Sequence, residues 1–293
     1  MNSETWTPPK LITWIKTELE KRNLGGNCRL EAELLVAAGL KSNRLDLYLQ
    51  FDRPVTIEER TQVRTLVRRR LDREPLAYIL GDAHFWTLTL QVGPGVLIPR
   101  SDTEVLIEYL TQVIAPTSHL KALEFGIGSG AISLAWALET SGLEIDGLEI
   151  SPQAFDWAQK NLEAYQEQIT QNKSTVHWHL GKSLTDFSGP YDIIVSNPPY
   201  ITKAEMAALQ PEVKSFEPSV ALEGGEDGLV FYRLLLQEGL RLLKPKGILV
   251  VEHGYAQKEA ILALMPEGYH LTAARQDLSH QDRMLVFERQ PSN

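Results

Sequence analysis

Leu120 to Phe125 form a short apolar run, Gly126-Ile127-Gly128-Ser129-Gly130 follow directly, and Ala131 to Leu138 are apolar again. A buried strand, a tight turn and the opening of a helix account for that order, because glycine permits positive φ and close backbone approach to a ligand. The pattern then repeats. Strand-like runs lie near Leu120, Leu143, Thr175, Tyr191 and Gly247, with helical patterns near Ser129, Pro152 and Gly228. Alternation of this kind demands an α/β fold whose mostly parallel sheet is covered on both faces. The last two runs, near His270 and Arg283, leave no room for a crossover helix and are expected to be antiparallel.

The first part of the chain has a different texture. Leu11, Trp14, Ile15 and Leu19 share one helical face, and Leu30, Leu34 and Leu35 another. Thr56-Ile57-Glu58-Glu59 has the capping-box pattern, and Val63, Leu66, Val67 and Leu71 follow on one stripe. The opposite face is expected to carry Arg64, Arg68, Arg69, Arg70 and Arg73, as a solvated surface or as a site for an acidic partner. Phe85 to Val92 alternate and Gly93-Pro94-Gly95 turns the chain into Val96-Leu97-Ile98, a hairpin signal. Ser101-Asp102-Thr103-Glu104 reads as a second capping box, opening a helix through Leu110.

The glycine turn alone leaves its ligand open. Gly126-x-Gly128-x-x-Ala131, followed by Glu149 at the end of the Leu143 to Ile150 run, fits a dinucleotide fingerprint. The same elements fit S-adenosylmethionine, with Glu149 accepting hydrogen bonds from the ribose hydroxyls and the turn passing beside the methionine moiety, where no anion site is needed. Glu124 before the glycines and a second motif downstream favour the latter.

That motif is Asn197-Pro198-Pro199-Tyr200, directly after the apolar run Tyr191 to Ser196. By itself Asn-Pro-Pro is also ordinary turn chemistry. Behind the glycine turn it suits methyl transfer to the planar nitrogen of an amide or aromatic amine, whose lone pair is delocalised. The Asn197 side-chain oxygen and the Pro198 carbonyl are a fixed pair of acceptors for both N–H hydrogens, favouring a more pyramidal nitrogen. The prolines hold that pair in an extended, rigid loop. Tyr200 is expected to lie flat against the planar group, a contact worth about 1 kcal/mol.

These motifs, together with Glu74 to Gly81, Val96 to Glu104, Phe216-Glu217-Pro218, Ala221-Leu222, Gly224-Gly225, Asp227-Gly228-Leu229, Glu252-His253-Gly254 and Asp282-Arg283, carry a resemblance over nearly the whole chain. The sequence resembles the peptide chain release factor N5-glutamine methyltransferases. The resemblance implies a class I, Rossmann-like methyltransferase fold with a seven-stranded, mostly parallel sheet. It also implies a helical substrate-recognition domain over 1–76, a β-hairpin linker over 77–100 and a catalytic domain over 101–293. The acceptor it implies is the glutamine of the Gly-Gly-Gln motif in class I release factors. Asn197, Pro198 and Tyr200 would be catalytic, with Pro199 completing the substrate site. Gly126, Ile127, Gly128, Ser129, Gly130, Glu149, Ser183 and Asn197 would face S-adenosylmethionine, which leaves as S-adenosylhomocysteine. Glu124 and Glu149 stand where the family usually or often has aspartate, and Gly181-Lys182-Ser183-Leu184 replaces a more typical Asp-aromatic pair beside the adenine. For Phe216 to Leu229, a substrate-proximal loop and a plain glycine-bent loop are both open.

The reaction expected is direct in-line transfer, without a covalent enzyme intermediate or a metal; His177 and His179 share a strand face but make no ligand set. Kindred readings are a ribosomal-protein glutamine methyltransferase and an N6-adenine nucleic-acid methyltransferase; a non-catalytic binding module and an NAD oxidoreductase complete the range. The release-factor branch is favoured by Leu97 to Glu104. The net charge of −9 argues against direct nucleic-acid binding. With one cysteine, Cys28, and no signal-like or bilayer-length apolar run, a cytoplasmic monomer without membrane contact is expected.

Overall fold

Seven strands form one sheet in the order β5-β4-β3-β6-β7-β9-β8, where β3 is Leu120–Phe125, β4 Leu143–Glu149, β5 Thr175–Leu180, β6 Tyr191–Ser196, β7 Leu243–Glu252, β8 Tyr269–Gln276 and β9 Asp282–Arg289. The computed structural model describes residues 5–113, 119–181 and 183–291. Neighbours from β5 to β7 are parallel, and β9 pairs antiparallel with both β7 and β8, as the short 269–289 segment requires. The chain moves outward from β3 through β4 to β5, then returns to lay β6 on the other side of β3. In such sheets the crevice at the carboxyl ends of the strands flanking the reversal binds the ligand. Here those ends carry the glycine turn and Asn197.

Alternation along the strands divides the core in two. Ala122, Ile145, Ile193, Val195, Val250 and Val286 face one side, under α6 (Glu104–Val113), α7 (Ala131–Glu139) and α8 (Pro152–Gln171). Leu123, Leu148, Ile194, Leu249, Leu285 and Phe287 face the other, under α11 (Val230–Leu242) and α12 (Lys258–Leu262). Ser151 caps α8, its hydroxyl accepting from Ala154 N, with Pro152 at the first helical position.

The chain separates into two units: residues 1–81 with 211–216, and residues 82–210 with 217–293. The first is helical, with α1 (Pro8–Lys21), α2 (Cys28–Gly39), α3 (Arg44–Leu49), α4 (Ile57–Leu71), α5 (Leu76–Leu80) and α10 (Pro211–Phe216). Leu11, Ile15, Leu19, Leu35, Val36, Val63 and Val67 are its centre. The Thr56–Glu59 capping box forms in both directions. A short α9 (Lys203–Met206) belongs to the second unit. Among the described residues no helix is long and apolar enough to cross a membrane.

Four expectations change. Trp14 is 41% exposed, because α2 and α4 cover only the Leu11, Ile15 and Leu19 stripe. Arg70 lies on the buried stripe of α4 with Val63 and Val67, seven and three positions back, and pairs with Glu31 at 2.8 Å and Glu212 at 3.5 Å. Arg69 and Arg73 pair with Glu74 and Glu212, so the basic face is largely neutralised within the unit. The hairpin is β1 (Asp82–Phe85) with β2 (Leu88–Gln91), turning at Trp86-Thr87, and Val96 to Ile98 are not a strand. Finally, Ser101-Asp102-Thr103 is a 3-10 turn without a side-chain cap. Glu104 instead accepts from Trp86 N at 2.8 Å, and Thr103 is engaged elsewhere.

Candidate active site

Every strand end near the reversal delivers one or two expected residues to a cavity of about 290 Å³. Gly126 and Gly128 come after β3, Glu149 ends β4, Ser183 follows β5, and Asn197 and Pro199 follow β6. Ile127 and Ser129 border an adjoining cavity of about 50 Å³, together with Gly126, Gly128, Asn197, Arg100, Thr103 and Glu124. Gly130, Pro198 and Tyr200 line neither. Gly130 has φ +83°, and a Cβ there would meet the Trp178 ring at 2.4 Å, so its job is to let the turn enter α7 against Trp178. Tyr200 is half-buried against the second core cluster rather than forming a wall of either cavity. Lys182, in the segment expected beside the adenine, lies outside the described residues.

Four of the five amides of the glycine turn are already paired. Gly126 N and Ile127 N donate to the Leu148 carbonyl at 3.0 and 3.2 Å, and Gly130 N to the Ile127 carbonyl at 2.8 Å. Gly128 N donates to Glu149 Oε2 at 3.0 Å, while Ile150 N and Ser151 N hold Glu149 Oε1 at 2.8 and 2.9 Å. A pyrophosphate needs free N–H groups and no carboxylate beside them. This turn therefore offers a poor anion cradle and a good place for hydroxyls or cations. Buried Asn161 on α8 steadies it, donating to the Ser129 and Gln91 carbonyls at 2.9 and 3.0 Å.

Glu124, at the end of β3, is 1% exposed. Ser133 N donates to its Oε2 at 3.0 Å, and the Ser133 hydroxyl donates to the same oxygen. Its Oε1 has no partner. Burial pushes this carboxyl up to about 8, against the pull of the Ser133 donors and helped by the nearby Glu149 charge.

Walls missed by the sequence reading come from distant segments. Leu97 on one side and Pro218, Val220, Ala221, Phe231 and Leu234 on the other make the main cavity largely apolar, with Leu148, Ile150 and Leu184 between. The Phe216 to Leu229 stretch is thus partly a cavity wall. Glu217 ties the two sides: Ile98 N donates to it at 3.1 Å and the Arg100 guanidinium pairs with its other oxygen. Ser183 borders the cavity while serving as a cap, its hydroxyl accepting from Thr185 N and its own N–H donating to Asp186.

The Asn197 to Tyr200 loop is held from three directions. Asn197 Nδ2 donates to Thr103 Oγ1 at 3.1 Å. Gln257 Nε2 donates to the Tyr200 carbonyl at 2.9 Å and reaches the Gly228 carbonyl at 3.3 Å. Ile201 N donates to the Leu222 carbonyl and Gly224 N to the Ile201 carbonyl, at 2.9 and 2.8 Å. Beneath the loop lies Glu252, 2% exposed, whose carboxyl burial pushes up to about 7. Burial likewise pushes the Tyr200 hydroxyl up to about 12, so it stays neutral. Apart from the tetrad, no local pattern marks these partners; they sit next to it only through the sheet.

The PrmC N-terminal domain family matches residues 10–81 and the methyltransferase small domain family residues 100–216. A release factor glutamine methyltransferase of Geobacter sulfurreducens is 40% identical over 96% of this chain and 96% of its own. A second, from Thermodesulfovibrio yellowstonii, is 33% identical over 89% of this chain and 93% of its own. Among solved structures, a methyltransferase from Pyrococcus furiosus superposes with a TM-score of 0.50 at 20% identity, over 79% of this chain and 99% of its own. That likeness concerns the fold alone.

Proposed function

The chain belongs to the release factor glutamine methyltransferase family, and we propose that its two adjoining cavities carry out that reaction with S-adenosylmethionine as donor and the Gly-Gly-Gln glutamine of class I release factors as acceptor. The observation that carries this reading is the placement of Asn197 on the border of both cavities, with its Nδ2 already committed to Thr103. Its Oδ1 is thereby left for an incoming N–H.

The chemistry of the donor site fits S-adenosylmethionine. The apolar walls suit an adenine, Glu149 has one lone pair left, on Oε2, for a ribose hydroxyl after taking three N–H bonds, and the orphaned Glu124 Oε1 suits an ammonium group. With four of its five amides already paired, the turn argues against a dinucleotide. When bound, S-adenosylmethionine supplies a methyl group made electrophilic by its sulfonium.

What the protein adds is placement. Asn197 Oδ1 and the Pro198 carbonyl accept the two hydrogens of the glutamine amide, draw the lone pair out of conjugation and aim it. The acceptors also favour the positive charge that develops on nitrogen. They are fixed before the substrate arrives, by the two prolines, Thr103 and Gln257, so no reorganisation is needed during transfer. The N-methylated amide cation is a strong acid and loses its proton to solvent. Tyr200, neutral and half-buried, packs behind the loop.

For the helical unit we propose contact with the protein substrate. Leu45, Leu49, Phe51 and Ile57 are between 60% and 74% exposed there, an apolar surface that a release factor would cover.

Asn197→Ala tests the assignment. Single-turnover transfer to a release factor is expected to fall by roughly 10²-fold or more, with S-adenosylmethionine affinity, measured by calorimetry, changing only a few-fold. Equal loss of both would move Asn197 from the acceptor to the donor site.

A further inference from the structure

Methyl transfer needs two things held at one distance, the donor against its wall and the acceptor amide against the Asn197 loop. These parts belong to different segments of the chain. Phe231 and Leu234 of α11 line the main cavity, and α11 is entered directly after Gly228 and Leu229. The acceptor loop follows β6 and ends at Tyr200. A misfit between two such segments costs rate without costing the binding of either reactant.

One side chain joins them. Gln257 Nε2 donates to the Tyr200 carbonyl at 2.9 Å and to the Gly228 carbonyl at 3.3 Å, and its Oε1 accepts from Gly254 N at 3.0 Å. All three partners are main-chain groups whose donor and acceptor roles cannot be exchanged, so the amide has a single orientation. The backbone of Gln257 is equally committed. Its N–H donates to the Gly254 carbonyl and its carbonyl accepts from Ile261 N, both at 2.9 Å, at the N-cap of α12. Ile261, fully buried in the second core cluster, anchors that helix. The space around the amide is closed as well. Gly228 has φ +71°, and a Cβ there would lie 2.4 Å from the Tyr200 carbonyl oxygen and 2.6 Å from Gln257 Nε2. Only glycine lets both carbonyls come within reach of one amide.

We infer that Gln257 is a positioning residue that sets the spacing between the donor wall and the acceptor loop, its one amide fixing the Gly228 end of the first and the Tyr200 end of the second. It lines neither cavity, so it acts through these two carbonyls. The Pro198 carbonyl inherits the position of the loop, because proline fixes φ at both 198 and 199. The inference rests on the reading of the main cavity as the donor site and of Asn197 Oδ1 and the Pro198 carbonyl as the acceptors. It adds what that reading lacks: the two halves of the site are located relative to each other by a residue outside both.

The test uses three variants. Gln257→Leu keeps bulk and removes the hydrogen bonds of the side chain. Gln257→Glu keeps shape and the acceptor for Gly254 N, but turns an oxygen toward the two carbonyls. Asn197→Ala removes the acceptor itself. Single-turnover methyl transfer to a release factor, the KM for that factor and calorimetric S-adenosylmethionine affinity are measured for each. Both Gln257 variants are expected to lose roughly 10- to 100-fold in transfer rate, the cost of misplaced reacting groups, with KM and cofactor affinity each within about threefold of the parent. Parent-like transfer by Gln257→Leu, beside an inactive Asn197→Ala, would overturn the inference and leave the acceptor assignment standing. Near-parent transfer by Asn197→Ala would instead overturn that assignment, and the inference with it. Parent-like Gln257→Glu beside a slow Gln257→Leu would make Gln257 a packing residue and overturn its positioning role. Cofactor affinity or KM worsening in step with rate would overturn that role too, by placing Gln257 at one binding site rather than between the two.

Discussion

Asn197 Nδ2 donates to Thr103 Oγ1 across 3.1 Å, although 94 residues separate them in the chain. One belongs to the loop after β6, the other to the turn that opens α6, and the sheet brings them to the same edge of the crevice. The acceptor site is therefore assembled from both ends of the second unit, since Glu252 beneath it comes from β7. A loop on its own could hold Asn197 only loosely, whereas the bond to Thr103 ties its side chain to the turn that opens α6.

Glu252 is expected to make stability fall with rising pH. Burial pushes its carboxyl up to about 7, from the ordinary 4.5; Asp102 and Asp277 push the same way, and the Thr103 hydroxyl and Arg283 pull it back. The folded protein therefore holds the extra proton, and this contribution is lost as pH rises from about 4.5 to 7. Glu252→Gln is expected to flatten that slope in thermal unfolding at pH 5 and pH 7.5. An unchanged slope would assign it to another group.

Glu124 predicts a stability slope of definite sign. Its folded value, about 8, lies above the ordinary 4.5, so the folded protein binds the extra proton and stability falls as pH rises through that window. Glu124→Gln removes the titration and is expected to stabilise the cofactor-free protein at pH 8 by about 1–3 kcal/mol relative to its effect at pH 5. Thermal unfolding at the two pH values measures this, and parallel shifts at both would contradict it.

Gly224 is expected to tolerate no side chain. A Cβ there would lie 2.7 Å from the Pro199 carbonyl oxygen and 2.8 Å from Tyr200 Cα, so Gly224→Ala must displace the loop that carries the acceptors. A loss of roughly 10- to 100-fold in kcat is expected, larger than the loss of S-adenosylmethionine affinity. Unchanged kcat would mean the loop can shift without cost.

The exposed apolar side chains of the helical unit give a separable effect. Leu49→Asp and Phe51→Asp, at positions 70% and 60% exposed, are expected to raise the KM for release factor by about tenfold while leaving cofactor affinity and thermal stability within error. An unchanged KM would place the protein-binding surface elsewhere.

The parts of this site that were legible beforehand are those whose chemistry is local. The strand–glycine–helix order, Glu149 at a strand end and Asn197-Pro198-Pro199-Tyr200 after a strand are patterns within a few residues, and the α/β alternation arranges them at one edge. Thr103, Glu217, Asn161 and Gln257 were not legible as site residues, because each acts through a contact that exists only after the sheet has formed. Misreadings have the same origin. Arg70 looked solvated because charge was given more weight than its position three residues after Val67. Ser101 to Glu104 had the composition of a cap, but Glu104 was drawn to Trp86 N and Thr103 to Asn197. The hairpin register slipped because Gly93-Pro94-Gly95 is a stronger turn signal than Trp86-Thr87, although only the latter pairs strands.

The central claim is tested most directly by methyl transfer from tritiated S-adenosylmethionine to an unmodified class I release factor, beside the same factor with its Gly-Gly-Gln glutamine changed to alanine. Label on the first and none on the second is the predicted result. Equal label on both factors, or none on either from a protein that binds S-adenosylmethionine, would contradict the account.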